Sequence, residues 1–561
     1  MMKEKLTADR QTKRDMRLCE SLLREATIDR GRWESIVEMT FPELLNAADL
    51  KENEAVRNRP PICPRARQGI LKLASAHMTF ITPMGDRWFQ FESWENQSEA
   101  DEGWMDQFDW FMQTTEIAQK ELERSNFYTE LIGTYIDRSV TGTGLLLIES
   151  MEEKGFNFTH IPAGTYGLAE NNLHEVDTVV RKFMLTPAQI IEDFGEEACS
   201  EQILADYKDT EKRYSTRRLI YHLVEPVIGR ESDDEMPYRS VYIDVDSGHL
   251  LLQSGYWEFP FIATRFIRYG SKVYGDSALA GLEKVMLDLS KIQEALKITA
   301  ERKALPSVLI SAELAEEVDF SAGGKTIISQ SDAAMGVPRE WASAGDQREM
   351  IEYAGTLMEQ IDDATFVSIL QTISSVDRQM TAREVSARES EKVMTFTQSF
   401  TQFGADFKPA MNRIFAMLYR MGKLNMDTMP NSLKEVFVDI ETGNTELLRV
   451  LPPKVSYIGR MAQSLQYAQH AGLSNTLMEL VELYQMTENN EFLMPLDPSR
   501  VARYKLNAAG VPHMCMVSPA RVRKMKREMQ EAAAQQQQAA LAEQQSAAQR
   551  NMAQAEANMR R

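Results

Sequence analysis

The sequence is short of cysteine, of paired metal ligands, of long apolar runs and of basic charge, and each shortage weighs against a class of protein. Its four cysteines, Cys19, Cys63, Cys199 and Cys515, lie far apart with no CxxC pair. Such spacing argues against a disulfide frame or a zinc site, and for isolated buried thiols in a reducing compartment. The seven histidines are scattered, with no HExxH or HxH spacing; His160 and His222 fall in strand-like runs where a hydrogen-bonded imidazole is the ordinary reading. No stretch approaches the ~18 consecutive apolar residues of a transmembrane helix. The opening MMKEKLTADRQTKRDMR is charged throughout and carries no apolar core of a secretory signal. The net charge is −20. Tight, general nucleic-acid binding draws on a basic face whose phosphate contacts release counterions, so this balance argues against it. It leaves room for a surface past which DNA slides, where strong phosphate contacts would be a hindrance.

The glycine-rich stretches do not make a nucleotide site. SAGGKTIIS (321–329) contains Gly-Lys-Thr, but Asp319 stands where a phosphate loop has its first glycine, and a carboxylate there repels phosphate. TGTG (141–144) lacks a third glycine and runs into a strand. Asp233, Asp234 and Glu235 read as a solvated charge run. With no nucleophile paired to a base, the sequence makes no case for an enzyme, a metal or a cofactor.

What is present is organisation. At 561 residues, 43% hydrophobic and 26% charged, the chain has the composition of a soluble protein of two to four domains. Residues 8–40 read as a helix, and the proline-rich NRPPICPRA (58–66) breaks it. ARQGILKLASAHMTFIT makes a second helix, and PMGDRWFQFE (83–92) a turn and a short aromatic strand. Residues 95–124, acidic but carrying Trp104, Phe108, Trp110 and Phe111, read as an amphipathic surface helix. From 139 to about 270 the period drops to two, over runs such as TGTGLLLIES, HEVDTVVRKF and RLIYHLVEPV. That is the pattern of an antiparallel β module, with VDSGH (245–249) as a hairpin turn. One short helix, LTPAQIIEDFG, interrupts it, with Thr186 as N-cap, Pro187 at N1 and Gln189 closing a capping box.

YGDSALAGLEKVMLDLSKIQ (274–293) then turns tightly into a helix over 276–303, with Asp276 as N-cap. Leu279, Leu282, Met286, Leu289, Ile292 and Leu296 form one apolar seam on a rod of about 42 Å. A turn of this kind either seats a phosphate or starts a strut. An apolar, glycine-containing insert (304–345) separates it from a second helix, 346–370, capped by Asp346 with Glu349. The polar break QTISSVDRQM (371–380) precedes a third helix, capped by Thr381 with Glu384, which runs to about Gly422 and bends near Gly404 and Pro409. Residues 430–515 read as helices and loops. The end, 518–561, is rich in Ala, Gln, Glu and Met after a knot of Arg521, Arg523, Lys524, Lys526 and Arg527. It reads as a helix that stands by bundling with copies of itself.

Taken in order, RGRWESIVEMTFPE, LKLASAHMTFITPMGDRWFQFE, VTGTGLLLIE, EVDTVVRKFMLTPAQIIEDFG, GYWEFPFIATRFIRYGSKVYGDSAL, MTAREVSARESEK and LPPKVSYIGRMAQSLQ resemble a known family over nearly the whole chain. It is the portal, or head-to-tail connector, of short-tailed bacteriophages (podoviruses). The resemblance implies an α+β portal fold. Residues 1–275 would form an α/β wing, 276–303 and 346–370 two long stem helices flanking a small clip domain at 304–345, and 371–380 a channel loop. A long bent wing helix (381–429), a crown (430–517) and a helical barrel or tail (518–561) would follow.

The same resemblance implies a virion protein made in the bacterial host cytoplasm. It would be a twelve-fold ring of copies at one capsid vertex, through which double-stranded DNA is packaged and ejected and which initiates procapsid assembly. The implied partners are the major capsid protein, the scaffolding protein, the terminase large subunit, and the tail adaptor and nozzle proteins; no catalytic residue, cofactor or membrane is implied. Ser374, Ser375, Arg378 and Gln379 are then the candidate channel residues, against the reading of 371–380 as a plain connector. Lys284, Lys291 and Lys297 meet DNA, a neighbouring subunit or solvent. Arg521, Arg523 and Lys524 meet packaged DNA or solubilise the last helix. Two rivals remain: a head–tail adaptor or scaffold with no DNA channel, and a nucleotide-dependent packaging enzyme, which would need the phosphate loop or acidic metal cluster missing here.

Overall fold

The two periodicities of the sequence become helices and antiparallel sheet. The computed structural model describes residues 2–50, 59–94, 104–151, 155–229, 235–304, 308–309, 339–340, 347–367, 382–430, 433–438 and 445–458, with a few single positions beyond 480. In chain order the elements are α1 (Met2–Thr40), α2 (Glu43–Asp49), α3 (Pro64–Phe80), β1 (Phe89–Glu92), α4 (Trp104–Arg124), α5 (Phe127–Val140), β2 (Thr143–Met151), β3 (Gly155–Ile161), β4 (Tyr166–Glu170) and β5 (Val176–Leu185). Short helices α6 (Pro187–Phe194), α7 (Glu201–Lys208) and α8 (Lys212–Ser215) follow, then β6 (Arg218–Pro226), β7 (Tyr238–Asp244), β8 (His249–Tyr256) and β9 (Phe261–Arg265). The remainder holds α9 (Glu283–Ala304), β10 (Val308–Leu309), β11 (Arg339–Glu340), α10 (Gln347–Ala364), α11 (Ala382–Arg420), β12 (Lys434–Val438), β13 (Thr445–Val450) and β14 (Lys454–Tyr457). The chain divides into two compact units, Met1–Met84 with Leu122–Arg413, and Gly85–Glu121 with Ile414–Arg561.

The first unit is built on two antiparallel sheets, ordered β3-β2-β9 and β4-β5-β6-β7-β8. The central strand β2 reads as a continuous apolar run, Leu145–Ile148, and all four side chains are fully buried. A strand covered on both faces needs no polar alternation. Leu145 and Leu147 share a core with Tyr166, Leu168, Val179 and Val224 of the larger sheet, while α5 packs along β2. In the larger sheet successive residues point to opposite faces. Val179 and Val224 therefore face the smaller sheet, while their neighbours Val180 and Leu223 pack on Cys19 and Leu22 of α1. Helix α6 carries the capping box: the Gln189 amide donates to Thr186 Oγ1 (3.4 Å) and the Thr186 amide to Gln189 Oε1 (2.9 Å). Two further helices, α7 and α8, stand before β6 where the sequence pattern suggests none.

Charge is also buried here. The Asp406 carboxylate of α11 accepts the Arg265 backbone N–H (2.7 Å) and its guanidinium (2.9 Å), and Arg265 reaches Glu170 on its other side (3.3 Å). The Arg265 carbonyl in turn accepts from Arg138 Nε (3.1 Å), a fully buried arginine that also contacts His77 (3.2 Å). Burial and the neighbouring Arg138 hold His77 well below the usual histidine pKa, so it is neutral. Seven residues beyond Asp406, Arg413 donates to the carbonyls of Ile148 (3.1 Å) and Glu258 (2.9 Å).

In the second unit β1 pairs with β14, from Phe89↔Tyr457 to Glu92↔Lys454. Trp88 lies parallel to Tyr457 at 6.3 Å, and Phe91 and Trp110 each meet Phe415 edge-on. Thr115 of α4 accepts the Phe91 N–H (3.0 Å). β12 and β13 form a hairpin, with a bulge between Glu435 and Val436. The expectation of helices and loops from 430 onward is corrected here, since KEVFV, TELLRV and KVSY are strands. Their β-branched and aromatic residues, and Pro452-Pro453 between the last two, disfavour helix. Most of 305–346, the segment 371–380 and most of 459–561 lie outside the described residues.

Candidate functional site

Of the three glycine-containing stretches weighed as phosphate loops, SAGGKTIIS lies outside the described residues, while TGTG and YGDS pack against each other. Gly142 has φ +91°, and a Cβ there would fall 2.2 Å from the Gly275 carbonyl oxygen; a Cβ on Gly275 would fall 2.2 Å from that of Gly142. The turn amides are committed to protein acceptors. Gly275 donates to Thr143 Oγ1 (2.9 Å), Asp276 to the Ile267 carbonyl (2.8 Å) and Ala278 to the Ser139 carbonyl (3.0 Å). The YGDS turn therefore seats a strut, and none of these three donors is held open for an anion.

Asp276 is not the N-cap expected of it, because α9 begins at Glu283, seven residues later. The Asp276 backbone is bridged to Ile267 and its carboxylate meets Lys272 (3.3 Å). Gly281 at φ +83° then leaves right-handed helical backbone just before the helix. Leu279 and Leu282 thus precede the helix, yet Leu279 is fully buried in the same core.

α9 and α10 lie against each other. Met286 and Leu289 meet Ala354, Leu357 and Ile361 over Trp33, Ile36 and Val37 of α1. Arg65 of α3 forks onto the Asp362 carboxylate at the far end of α10, with Nε 2.7 Å from Oδ1. With their seams turned inward, α9 presents a mixed face, its lysines interleaved with exposed Glu294 and Glu301, and α10 a mainly acidic one. On α9, Lys284, Lys291 and Lys297 are all exposed, and Leu287 (41%) and Ile298 (42%) lie beside Lys284 and Lys291 on one outward stripe. Lys297 approaches Glu301 only at 3.9 Å, one turn on, a surface pair of small energetic weight. On α10 the exposed positions include Glu349, Glu352, Glu359 and Asp363. Ser374, Ser375, Arg378, Gln379, Asp346, Thr381, Arg521, Arg523 and Lys524 lie outside the described residues.

Asp29 of α1 sits beside the turn and titrates unusually. Its pKa is raised from 3.8 to about 6, chiefly by burial, with Arg32 pulling it down and Asp276 pushing it up. A carboxyl whose folded pKa is raised contributes stability in full below 3.8 and loses it as the pH climbs through about 6. Asp29→Asn, which fixes the neutral form, should therefore match the parent near pH 4. By pH 7.5 it should exceed it by about 1–3 kcal/mol in urea unfolding; an equal gain at both pH values would count against this.

The remaining motifs are structural. His160 Nε2 is bonded to Asp137 (2.9 Å); His222 lies between Arg181 (2.9 Å) and Ser240 (3.0 Å) and stacks on Tyr242 at 3.9 Å. Among the described residues no group of three or more His, Cys, Asp or Glu is placed to hold a metal ion, and no helix is long and apolar enough to cross a membrane. Reading the sequence alone misses the Gly142–Gly275 crossing and the Arg138–Arg265–Asp406 chain. The one signal for the latter is charge inside apolar runs, FIATRFI and FGADF.

Comparison with known proteins places the chain in a family. The chain matches the family described as bacteriophage head to tail connecting protein over residues 17–517. It is 23% identical over 496 residues to the portal protein of Salmonella phage epsilon15, covering 85% of this chain and 83% of that one. It is 24% identical over 295 residues to a probable portal protein of Bordetella phage BPP-1, covering 51% and 52%. A solved structure, the neck of an empty GTA particle, aligns over 84% of this chain and 93% of its own at 10% identity, with a TM-score of 0.34, too low to bear on the fold. The chain belongs to the bacteriophage head-to-tail connecting proteins.

Proposed function

We propose that the chain is the portal subunit of a tailed phage. Copies form a ring, of about twelve, at one capsid vertex, and double-stranded DNA passes through its centre during packaging and ejection. The observation that carries this reading is the connector-family match, which runs through both compact units from residue 17 to 517. The exposed lysines of α9, beside the mainly acidic outward face of α10, support it by offering cations to the acidic face of a neighbouring copy. In this reading α9 and α10 are the stem, 304–345 the clip and 139–270 the sheet of the wing. The clip engages the terminase large subunit first and the tail adaptor and nozzle proteins later. The wing and crown face the major capsid protein and the scaffolding protein. Lys284, Lys291 and Lys297 serve contacts between copies, while Arg521, Arg523 and Lys524 approach packaged DNA.

Ser374, Ser375, Arg378 and Gln379 form the channel loop. With a net charge of −20 the ring repels phosphates overall, and Arg378 supplies a weak, quickly broken contact. Electron microscopy and native mass of the purified protein should show rings of about a dozen subunits around a hole. Arg378→Ala should keep those rings and change DNA packaging or retention. A compact monomer at all salt concentrations would overturn the portal reading, and loss of rings in Arg378→Ala would overturn the channel assignment alone.

A further inference from the structure

One edge of the larger sheet is left open. β4 covers β5 only from Val176 to Arg181, and just beyond it the Lys182 N–H donates to the Thr165 carbonyl (2.8 Å). Thr165 then turns back onto Pro162 (3.2 Å). Phe183, Met184 and Leu185 therefore pair with β6 on one side and, among the described residues, with no strand on the other. Beside this edge lies a cavity of about 550 Å3, bounded by the end of α2, the β3–β4 turn and Arg217 just before β6.

The cavity joins an apolar floor to a cationic rim. Leu50, Ile161 and Met184 contribute to the floor. Arg181, Lys182 and Arg217 stand around it with His160, and among the described residues no Asp or Glu lines it. In a chain of net charge −20 this is a local reversal of sign. Arg181 is held in place, with Nε donating to His222 (2.9 Å) and the guanidinium lying over the Phe183 ring at 4.6 Å. No carboxylate among the described residues forms an ion pair with Arg181, Lys182 or Arg217. Asp49, which acts on Lys182 from a distance, is already bound by Arg30 at 2.5 Å. Lys182 is half-buried, and burial lowers its pKa, so a counter-charge placed there is favoured.

We propose that this edge is a docking site for an extended acidic peptide segment of a partner protein, which adds to β5 as a short strand. Its carboxylates meet Arg181, Lys182 and Arg217, and its alternate apolar side chains cover the floor. A phosphate would satisfy the cations but leave the strand edge and the apolar floor uncovered; an added strand uses all three.

The test uses full-length protein and a fluorescent Glu-Val-Glu-Val-Glu peptide followed by anisotropy. Saturable binding is expected, weakened at least tenfold in Lys182→Ala/Arg217→Ala and absent for Lys-Val-Lys-Val-Lys. The same acidic peptide with alternate amides N-methylated should fail to bind, and hydrogen exchange should slow at the Met184 amide, the one that alternation turns toward the open edge. Circular dichroism confirms that the double variant is folded; the N-methylated peptide tests strand addition without altering the protein at all. Three results overturn the proposal: no saturation at millimolar peptide, binding indifferent to the two substitutions, or inorganic phosphate binding at these cations while the peptide does not.

Discussion

Gly142→Ala is expected to destabilise the first unit by about 2–6 kcal/mol, a large share of the roughly 5–15 kcal/mol that holds a domain folded. Two costs add. A non-glycine residue held in the left-handed region costs about 1–3 kcal/mol. Overpacking adds about 1–3 kcal/mol, and here the opposing atom is the Gly275 carbonyl oxygen, 2.2 Å from the new Cβ, which no side-chain rotation can move aside. Two other glycines separate the costs. Gly270 has φ +68° with nothing within 4 Å of a built Cβ, so Gly270→Ala carries the conformational cost alone, about 1 kcal/mol. Gly31, inside α1 with the same open space, has no such conflict, and Gly31→Ala should gain about 1 kcal/mol. Urea unfolding of the three variants reads the order directly. If Gly142→Ala and Gly270→Ala were equally mild, the backbone crossing would not seat α9. A phosphate cradle, by contrast, would keep its fold and lose a ligand.

These glycines mark the boundary of what could be read from the chain. Where one face of an element is buried by neighbours close in sequence, the period shows it; α1, α3, β2 and the β5–β8 meander were all legible. The α6 cap was legible too, because Thr186, Pro187 and Gln189 act within one turn. The start of α9 was not. DSALAGLE is rich in helix formers and continues the apolar seam, and the tertiary bridge from Asp276 to Ile267, with Gly281 in the left-handed region, withholds the helix until Glu283. β14 was missed because its partner β1 lies more than 350 residues away and its four residues carry little pattern of their own. The exposed lysines of α9 follow from the apolar seam as its complement. The cationic cavity does not, since His160, Arg181 and Arg217 come from three separate segments and meet only through sheet register. Family resemblance succeeded over the same stretch because it sums many weak matches in order, each too small to specify a contact.

Breaking the Asp406–Arg265 pair is the second large effect. Asp406→Ala should cost about 3–5 kcal/mol, since it leaves the buried Arg265 with only the longer ion pair to Glu170 (3.3 Å) and its own backbone N–H without an acceptor. The pair itself is not a strong net stabiliser. Burial drives the Asp406 pKa upward against the pull of Arg265 and Arg138, so much of the Coulombic gain offsets desolvation. Asp406→Leu with Arg265→Met should accordingly recover a large part of the loss, leaving Glu170 to Arg268 (3.0 Å) and His174 (2.8 Å). What the double variant should not recover is position. Asp406 and Arg413 lie two turns apart and fasten α11 to β9, to the Ile148 carbonyl of β2 and to Glu258, while the N-terminal end of the same helix follows directly on 371–380. In the portal reading that anchorage fixes the helix that follows the segment proposed as the channel loop. A double-mutant cycle in urea should give a coupling of about 1–3 kcal/mol between the two sites, and hydrogen exchange along residues 401–413 should rise in the rescued protein. Strict additivity of the two single losses, with unchanged exchange, would mean that α11 is held by its apolar face and the buried charges do not set its place.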